Sequence, residues 1–331
     1  MNALAMVIIR DFAGKILNMQ WIRGLHNVRP SHHGCVATIG NFDGVHLGHQ
    51  AILTRLRNSA ARLNLPSCVI IFEPQPREFF NPETAPVRLT RLRNKLQLFR
   101  DAGIDQVLCI AFNKRFRQLS AAEFVQTVLV DALGIEHLQV GDDFRFGCDR
   151  LGDFAFLQEA GQRCGFSVEP TATVEIDGER VSSTRIRAAL AAADFSLAQR
   201  LLGRPYHIDG RVMHGKKLGR TLNAPTANVQ LKRHRAPLHG VYLVSAQLQD
   251  GRHLPGVANI GTRPTVDSGQ QAHLEVHLLN FSGDLYGQQL AVTFYQKIRD
   301  EQRFESLPQL QEAIAADIAQ AHTLWQHFHT L

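Results

Sequence analysis

Along the first half of the chain, apolar residues fall into short continuous runs separated by longer stretches where they recur every three or four positions. The runs CVATIG (35–40), SCVIIF (67–72), QVLCIAF (106–112) and HLQVG (137–141) read as strands buried on both faces. The stretches LGHQAILTRLRNSAARLN, TRLRNKLQLFRDAG and SAAEFVQTVLVDALG between them carry helical spacing, and two more helices are expected at about 153–163 and 183–202. Strands alternating with helices predict a parallel sheet with helices on both faces. From 207 to about 299 the texture changes to glycine, proline and short alternating runs such as GVYLVSAQL, HLPGVANIG, AHLEVHLL and QLAVTFYQ. That pattern predicts a small antiparallel barrel, followed by an amphipathic helix over about 306–328. The expected organisation is an extension over 1–18, a parallel-sheet domain over 19–190, a linker over 191–206 and a barrel domain over 207–331.

Composition changes this picture little. With 331 residues, 44% of them hydrophobic, the chain can fill two cores. No apolar run is long enough to cross a bilayer, and the N-terminal apolar patch lacks a basic leader, so neither a membrane span nor a signal peptide is expected. The five cysteines are scattered without CxxC pairing and read as small hydrophobes in a reducing compartment, which points to the cytoplasm. A net charge of +6 suits nucleic acid or small polyanions such as nucleotides. No arginine-rich run or interleaved aromatic and basic patch occurs, and nucleic acid is not an expected partner.

Candidate chemistry starts where the first strand ends. In a parallel sheet, ligands sit outside the C-terminal ends of the strands, and GNFDGVHLGH (40–49) lies at such an end. Gly40, Gly44 and Gly48 let the backbone turn and approach a ligand, and the following helix N-terminus offers free N–H groups to a phosphate. His46 and His49, three apart, project from one face of the first turn and can donate to oxygens that gain charge when a phosphoanhydride is attacked. The alternative is that one histidine caps the helix and the other packs. VGDDFRFG (140–147) places Asp143 at the same sheet edge, with a turn cap as the other reading for Asp142 or Asp143. FEPQP (72–76) is expected to run extended.

In the second half, GRVMHGKK (210–217) nearly matches a phosphate loop, but Lys217 stands where Ser or Thr is needed and the segment after it cannot open a helix. PTAN (225–228) puts the oxygen-bearing side chains of Thr226 and Asn228 on one face if extended, suited to Mg²⁺, although the tetrapeptide is also a common turn. In HLEVHL, His273, Glu275 and His277 share a strand face, which suits a metal or simply meets water.

Taken in order, GNFDGVHLGH, FEPQPREFF, RLT, VGDDFRFG, VSSTRIRAAL, GRVMHGKKLGRTLNAPTAN, GVANIGTRPT, EVHLLNF, DLYG and KIRDEQRF resemble the bacterial bifunctional riboflavin kinase/FAD synthetases over about residues 20–328. The resemblance implies phosphorylation of riboflavin to FMN and adenylylation of FMN to FAD, with two molecules of ATP and Mg²⁺. It implies a nucleotide loop of Gly40, Asn41, Phe42, Asp43 and Gly44 with His46 and His49, and phosphate contacts from Ser183, Thr184 and Arg187. In the kinase half it implies phosphate contacts from His214, Gly215 and Lys216, metal ligation by Thr226 and Asn228, and Glu275 as general base. Arg299 lies in the segment bordering the flavin. Many members carry His where this chain has Gln75, so the resemblance gives Gln75 no catalytic role. Two other readings stand beside it: retention of only one activity, or a basic nucleic-acid-binding or flavin-sensing regulator on a retired enzyme.

Overall fold

The computed structural model describes residues 19–148, 150–214, 225–231, 235–265 and 269–330. Its contacts divide into two compact units. One holds the described residues up to Pro86 together with Arg91–Val181; the other holds Val87–Thr90 and the described residues from Ser182 onward.

The first unit is built on strands β1 (Gln20–Arg23), β2 (Cys35–Ile39), β3 (Ser67–Glu73), β4 (Gln106–Ala111), β5 (Ile135–Val140) and β6 (Ser167–Pro170). They form one sheet in the order β1-β4-β3-β2-β5-β6, with every neighbouring pair parallel. Alternate residues of the central strands feed two cores. Val69, Ile71 and Val107 face one side with Leu53, Leu56 and Ala60 of α1 (Leu47–Leu63) and with Leu96 and Phe99. Cys68, Ile70 and Leu108 face the other with Phe124, Val128, Leu129 and Leu157. The expected doubly covered parallel sheet is present, and Cys35, Cys68 and Cys109 are buried in it as free thiols.

Three local expectations change. The sequence reading did not include β1 and β6, because each is a four-residue edge strand with at most one buried side chain and carries no hydrophobic run. The FEPQP stretch is extended at Phe72, Glu73 and Gln75, but the Glu73–Pro74 bond is cis and α2 (Pro76–Phe80) starts at the second proline. Next come α3 (Leu92–Asp101), α4 (Ala121–Phe124) running into a π-helical stretch over Val125–Ala132, and α5 (Phe154–Cys164). A short hairpin, β7 (Glu175–Ile176) and β8 (Glu179–Arg180), ends this unit.

The helix expected over 183–202 is two helices, α6 (Ser183–Ala191) and α7 (Phe195–Leu202). Ala193 takes a left-handed φ of 57°, and Asp194 caps the second helix by accepting from Leu197 N–H at 2.8 Å. The segment 191–206, expected as a linker, therefore carries a helix. Phe195 of α7 packs edge-on against Tyr242 at 5.8 Å between ring centres.

The barrel consists of β9 (His207–Met213), β10 (Ala227–Val229), β11 (Gly240–Gln247), β12 (His253–Thr265), β13 (Gly269–Leu278) and β14 (Gln289–Arg299). It closes in the order β10-β13-β12-β11-β14-β9, all antiparallel. Val241, Leu243 and Val257 pack against Ala321 of the terminal helix α8 (Leu307–Thr330). The alternate residues Tyr242, Val244, Ala258 and Ile260 point to the opposite face and are buried there.

Candidate active sites

In the parallel-sheet unit, the loop after β2 is held in conformations that side chains rarely adopt. Phe42 has φ 48° and Val45 φ 41°, both unusual for residues with a Cβ, and Gly44 has φ 86°. Strain of this kind persists only where the surroundings enforce it, and it concentrates at ligand sites. Phe42 is the anchor: its ring is buried edge-on against Phe99 at 5.4 Å. At Gly40 an added Cβ would lie 3.0 Å from that ring, so the residue there is small for a steric reason.

His46 is the N-cap of α1, and its Nδ1 accepts from the His49 backbone N–H at 3.3 Å. With Nδ1 accepting, the neutral ring carries its proton on Nε2, which is thereby a donor. The His46 and His49 rings stack at 3.6 Å between centres, 17° from parallel. A Cβ at position 48 would stand 3.2 Å from the His46 ring, so Gly48 leaves room for the stack. The capping alternative is thus part of the arrangement, since one residue caps and still presents a donor. The His49 Nδ1 is shut off from solvent and has no hydrogen-bond partner among the described residues. Burial, followed by His46, Lys95 and Arg180, holds the His49 imidazole well below the ordinary value of 6.5.

Lys95 was not singled out from the sequence. It is 1% exposed, and its Nζ donates to the Asn41 carbonyl. The signal was present in LRNKLQLF: Lys95 shares the apolar stripe of Leu92, Leu96 and Phe99, where an ammonium needs a partner. Asp43 is likewise buried. Asp143 stands after β5 but is exposed, with Arg180 of β8 at 3.3 Å.

In the second unit, Ser182 caps α6 by accepting from Arg185 N–H at 3.2 Å, which places Ser183 and Thr184 in the first turn. Arg187 Nε donates to the Val87 carbonyl at 2.6 Å and so ties down the RLT segment.

On the barrel, register brings distant residues together. Asn228 of β10 and Asn259 of β12 each stand directly opposite Glu275 of β13, so the three share one face in the row Asn228–Glu275–Asn259. Asn259 Oδ1 is buried and has no hydrogen-bond partner among the described residues. His277 Nδ1 lies 3.0 Å from the Pro225 carbonyl and, as its donor, anchors the start of PTAN. Thr226 and Asn228 line a cavity of about 260 Å³ with Leu278, Phe281 and Tyr286. Tyr286 also packs on His214, with ring centres 3.9 Å apart. Gly215 and Lys216 lie outside the described residues. Among the described residues no group of three His, Cys, Asp or Glu could hold a metal, so HLEVHL forms no such cluster.

Arg299 is engaged within the barrel unit. Its Nε and one terminal nitrogen donate to the two carboxylate oxygens of Asp317 on α8, each at 2.8 Å, and its other terminal nitrogen donates to the Asp300 carbonyl at 3.0 Å. Asp317 is 6% exposed. This bidentate pair joins the last strand to the terminal helix.

A model of the FAD synthetase family matches residues 28–185, and one of the riboflavin kinase family matches residues 202–325. The bifunctional riboflavin kinase/FMN adenylyltransferase of Pseudomonas fluorescens is 66% identical over 92% of this chain and 98% of its own length. The Escherichia coli K12 protein of the same description is 51% identical over 90% of this chain and 96% of its own length. A solved structure described as a macrolide-efflux protein from Streptococcus pneumoniae superimposes with a TM-score of 0.73 at 30% identity, covering 92% of this chain and 99% of that one. No helix among the described residues of the present chain is long and apolar enough to cross a membrane. With both family models matched in order and relatives of this identity aligned along nearly their whole length, the chain belongs to the family of bifunctional riboflavin kinase/FMN adenylyltransferases.

Proposed function

We propose that the chain converts riboflavin to FMN in its barrel unit and FMN to FAD in its parallel-sheet unit, using one ATP for each step, in the cytoplasm. The observation that supports this reading is that each unit carries a polar constellation of its own, of a chemistry suited to phosphates. One is the stacked His46–His49 pair at a helix start; the other is the Asn228–Glu275 pair beside the Thr226 cavity.

In the kinase step, the riboflavin 5′-hydroxyl oxygen bonds to the γ-phosphorus of ATP as the bond from that phosphorus to the β-bridging oxygen breaks and ADP leaves. The hydroxyl proton passes to Glu275, a carboxylate suited to take it. Thr226 and Asn228 offer hard oxygen donors and would hold Mg²⁺, an ion that takes few protein ligands. When bound, Mg²⁺ neutralises charge on the phosphates. His214, Gly215 and Lys216 are assigned to the phosphates as well, and Arg299 braces the segment that borders the flavin.

In the adenylyl step, an FMN phosphate oxygen bonds to the α-phosphorus of the second ATP, and pyrophosphate leaves as the α–β bridging bond breaks. The attacking oxygen is already ionised and needs no base. The Nε2–H of His46, the His49 ring and the first N–H groups of α1 stabilise charge on the phosphate oxygens. Asp143 is assigned to the nucleotide.

A product assay tests both assignments. Riboflavin, ATP and Mg²⁺ are supplied, and FMN and FAD are separated by chromatography over time. FMN should precede FAD, a His46→Ala/His49→Ala variant should stop at FMN, and Glu275→Gln should make FAD only from supplied FMN. If either variant runs both steps at the wild-type rate, that residue assignment fails.

A further inference from the structure

We propose that Lys95 is a positioning residue of the adenylyl-transfer site, its buried ammonium fixing the Asn41 carbonyl and with it the loop that leads into the histidine pair. The inference rests on the assignment of that loop to adenylyl transfer.

The geometry is specific. Lys95 comes from α3, the loop follows β2, and the two are 54 residues apart in the chain. A buried ammonium is costly unless it is bonded, so a lysine here must contribute something that leucine would not. The bonded carbonyl belongs to Asn41, next to Phe42 with its unfavourable φ of 48°. Holding the Asn41 carbonyl fixes the peptide plane that precedes the strained residue, and with it the Phe42 N–H, which points the opposite way in a trans peptide.

The same ammonium acts through space on His49. Three groups facing that ring oppose its protonation: His46 from the loop, Lys95 from α3 and Arg180 from β8. A neutral His49 can stack on His46 without repulsion between two charged rings.

The test uses the full chain, whose kinase step is an internal control. In Lys95→Met, kcat/KM for FMN adenylylation should fall on the order of a hundredfold, as a displaced site does, with riboflavin phosphorylation unchanged. The His49 ring signal, followed by NMR on histidine-labelled protein and identified by its loss in His49→Asn, should titrate at higher pH. Lys95→Gln keeps a donor for Asn41 but loses the charge. It should show the same upward titration with a smaller loss of rate, and it carries the test if Lys95→Met does not fold. Wild-type adenylylation in a folded variant, or an unmoved His49 titration in Lys95→Gln, overturns the proposal. If His46→Ala/His49→Ala also adenylylates normally, the site assignment fails. If that double variant is inactive while Lys95→Met is normal, only the role of Lys95 fails.

Discussion

The candidate residues of the two units stand on different parts of the backbone. In the parallel-sheet unit most of them occupy one loop and the helix start after it, within the ten residues from Gly40 to His49, with Asp143 after β5. On the barrel, Asn228, Glu275 and Asn259 stand on strand faces and come together only through register. A parallel sheet concentrates chemistry at its C-terminal strand ends, where loops and helix N-termini converge. In an antiparallel barrel neighbouring strands run in opposite directions and gather no such set of ends, so residues meet across adjacent strands instead.

The separation should show first in stability. Phe99→Ala removes a fully buried ring that also supports Phe42, and Phe294→Ala removes one packed on Tyr242 at 5.6 Å. Each should cost about 3–5 kcal/mol. On heating, Phe99→Ala should lose adenylylation first and Phe294→Ala should lose phosphorylation first. Simultaneous loss of both activities in both variants would show that the two units unfold as one.

A smaller effect tests the brace at the end of the barrel. Asp317→Ala strips a partly buried Arg299 of its bidentate partner, and breaking such a pair costs about 3 kcal/mol. Denaturant melts monitored by riboflavin phosphorylation should move, while those monitored by adenylylation of supplied FMN should not. Unchanged melts would mean that α8 is held by its apolar face alone.

Smaller still is a contrast in pH response. In the parallel-sheet unit, burial lowers His32, His137 and, most strongly, His49 from 6.5. Below 6.5 the unfolded chain binds protons that these folded sites refuse, so their contribution is full above 6.5 and lost as pH falls through the lowered folded values. In the barrel, burial pushes the Tyr242 hydroxyl, which donates to the His239 carbonyl at 2.7 Å, from 10 up to about 12. Its contribution is full below 10 and lost as pH rises towards 12. Acid should therefore weaken the parallel-sheet unit first and alkali the barrel. Melts of each activity across pH check this, and the reverse order would refute it.

How legible each unit was in the sequence follows from the same contrast. The four central strands and α1 were legible because both faces of each strand, and one stripe of the helix, are buried. The edge strands β1 and β6 were not, because an edge strand exposed to water needs no apolar run. The break between α6 and α7 escaped notice because neither glycine nor proline marks it; Asp194 does, as a cap. His46 and His49 were visible as a spaced pair. That Asn259 faces Glu275 was not, because the two are sixteen positions apart and only the register of β12 with β13 aligns them. Lys95 escaped for a different reason: charge on an apolar stripe reads as ordinary helix chemistry until its partner, the Asn41 carbonyl, is known.

The smallest effect separates charge from stability within one site. Arg180 meets Asp143 at 3.3 Å with side chains 61% and 67% exposed, a pair worth about 0–1 kcal/mol. Arg180→Ala should therefore leave melting nearly unchanged. Arg180 is nevertheless among the charges that lower His49, after Lys95 in strength, so the His49 titration should rise, but by less than in Lys95→Gln. Salt sharpens the distinction, because ions screen an exposed guanidinium far more than an ammonium that is 1% exposed. In 1 M salt the influence of Arg180 on His49 should vanish while that of Lys95 persists. Equal screening of both would mean that solvent reaches Lys95, and the loop would then lack the dry charge that distinguishes it from the strand-borne site of the barrel.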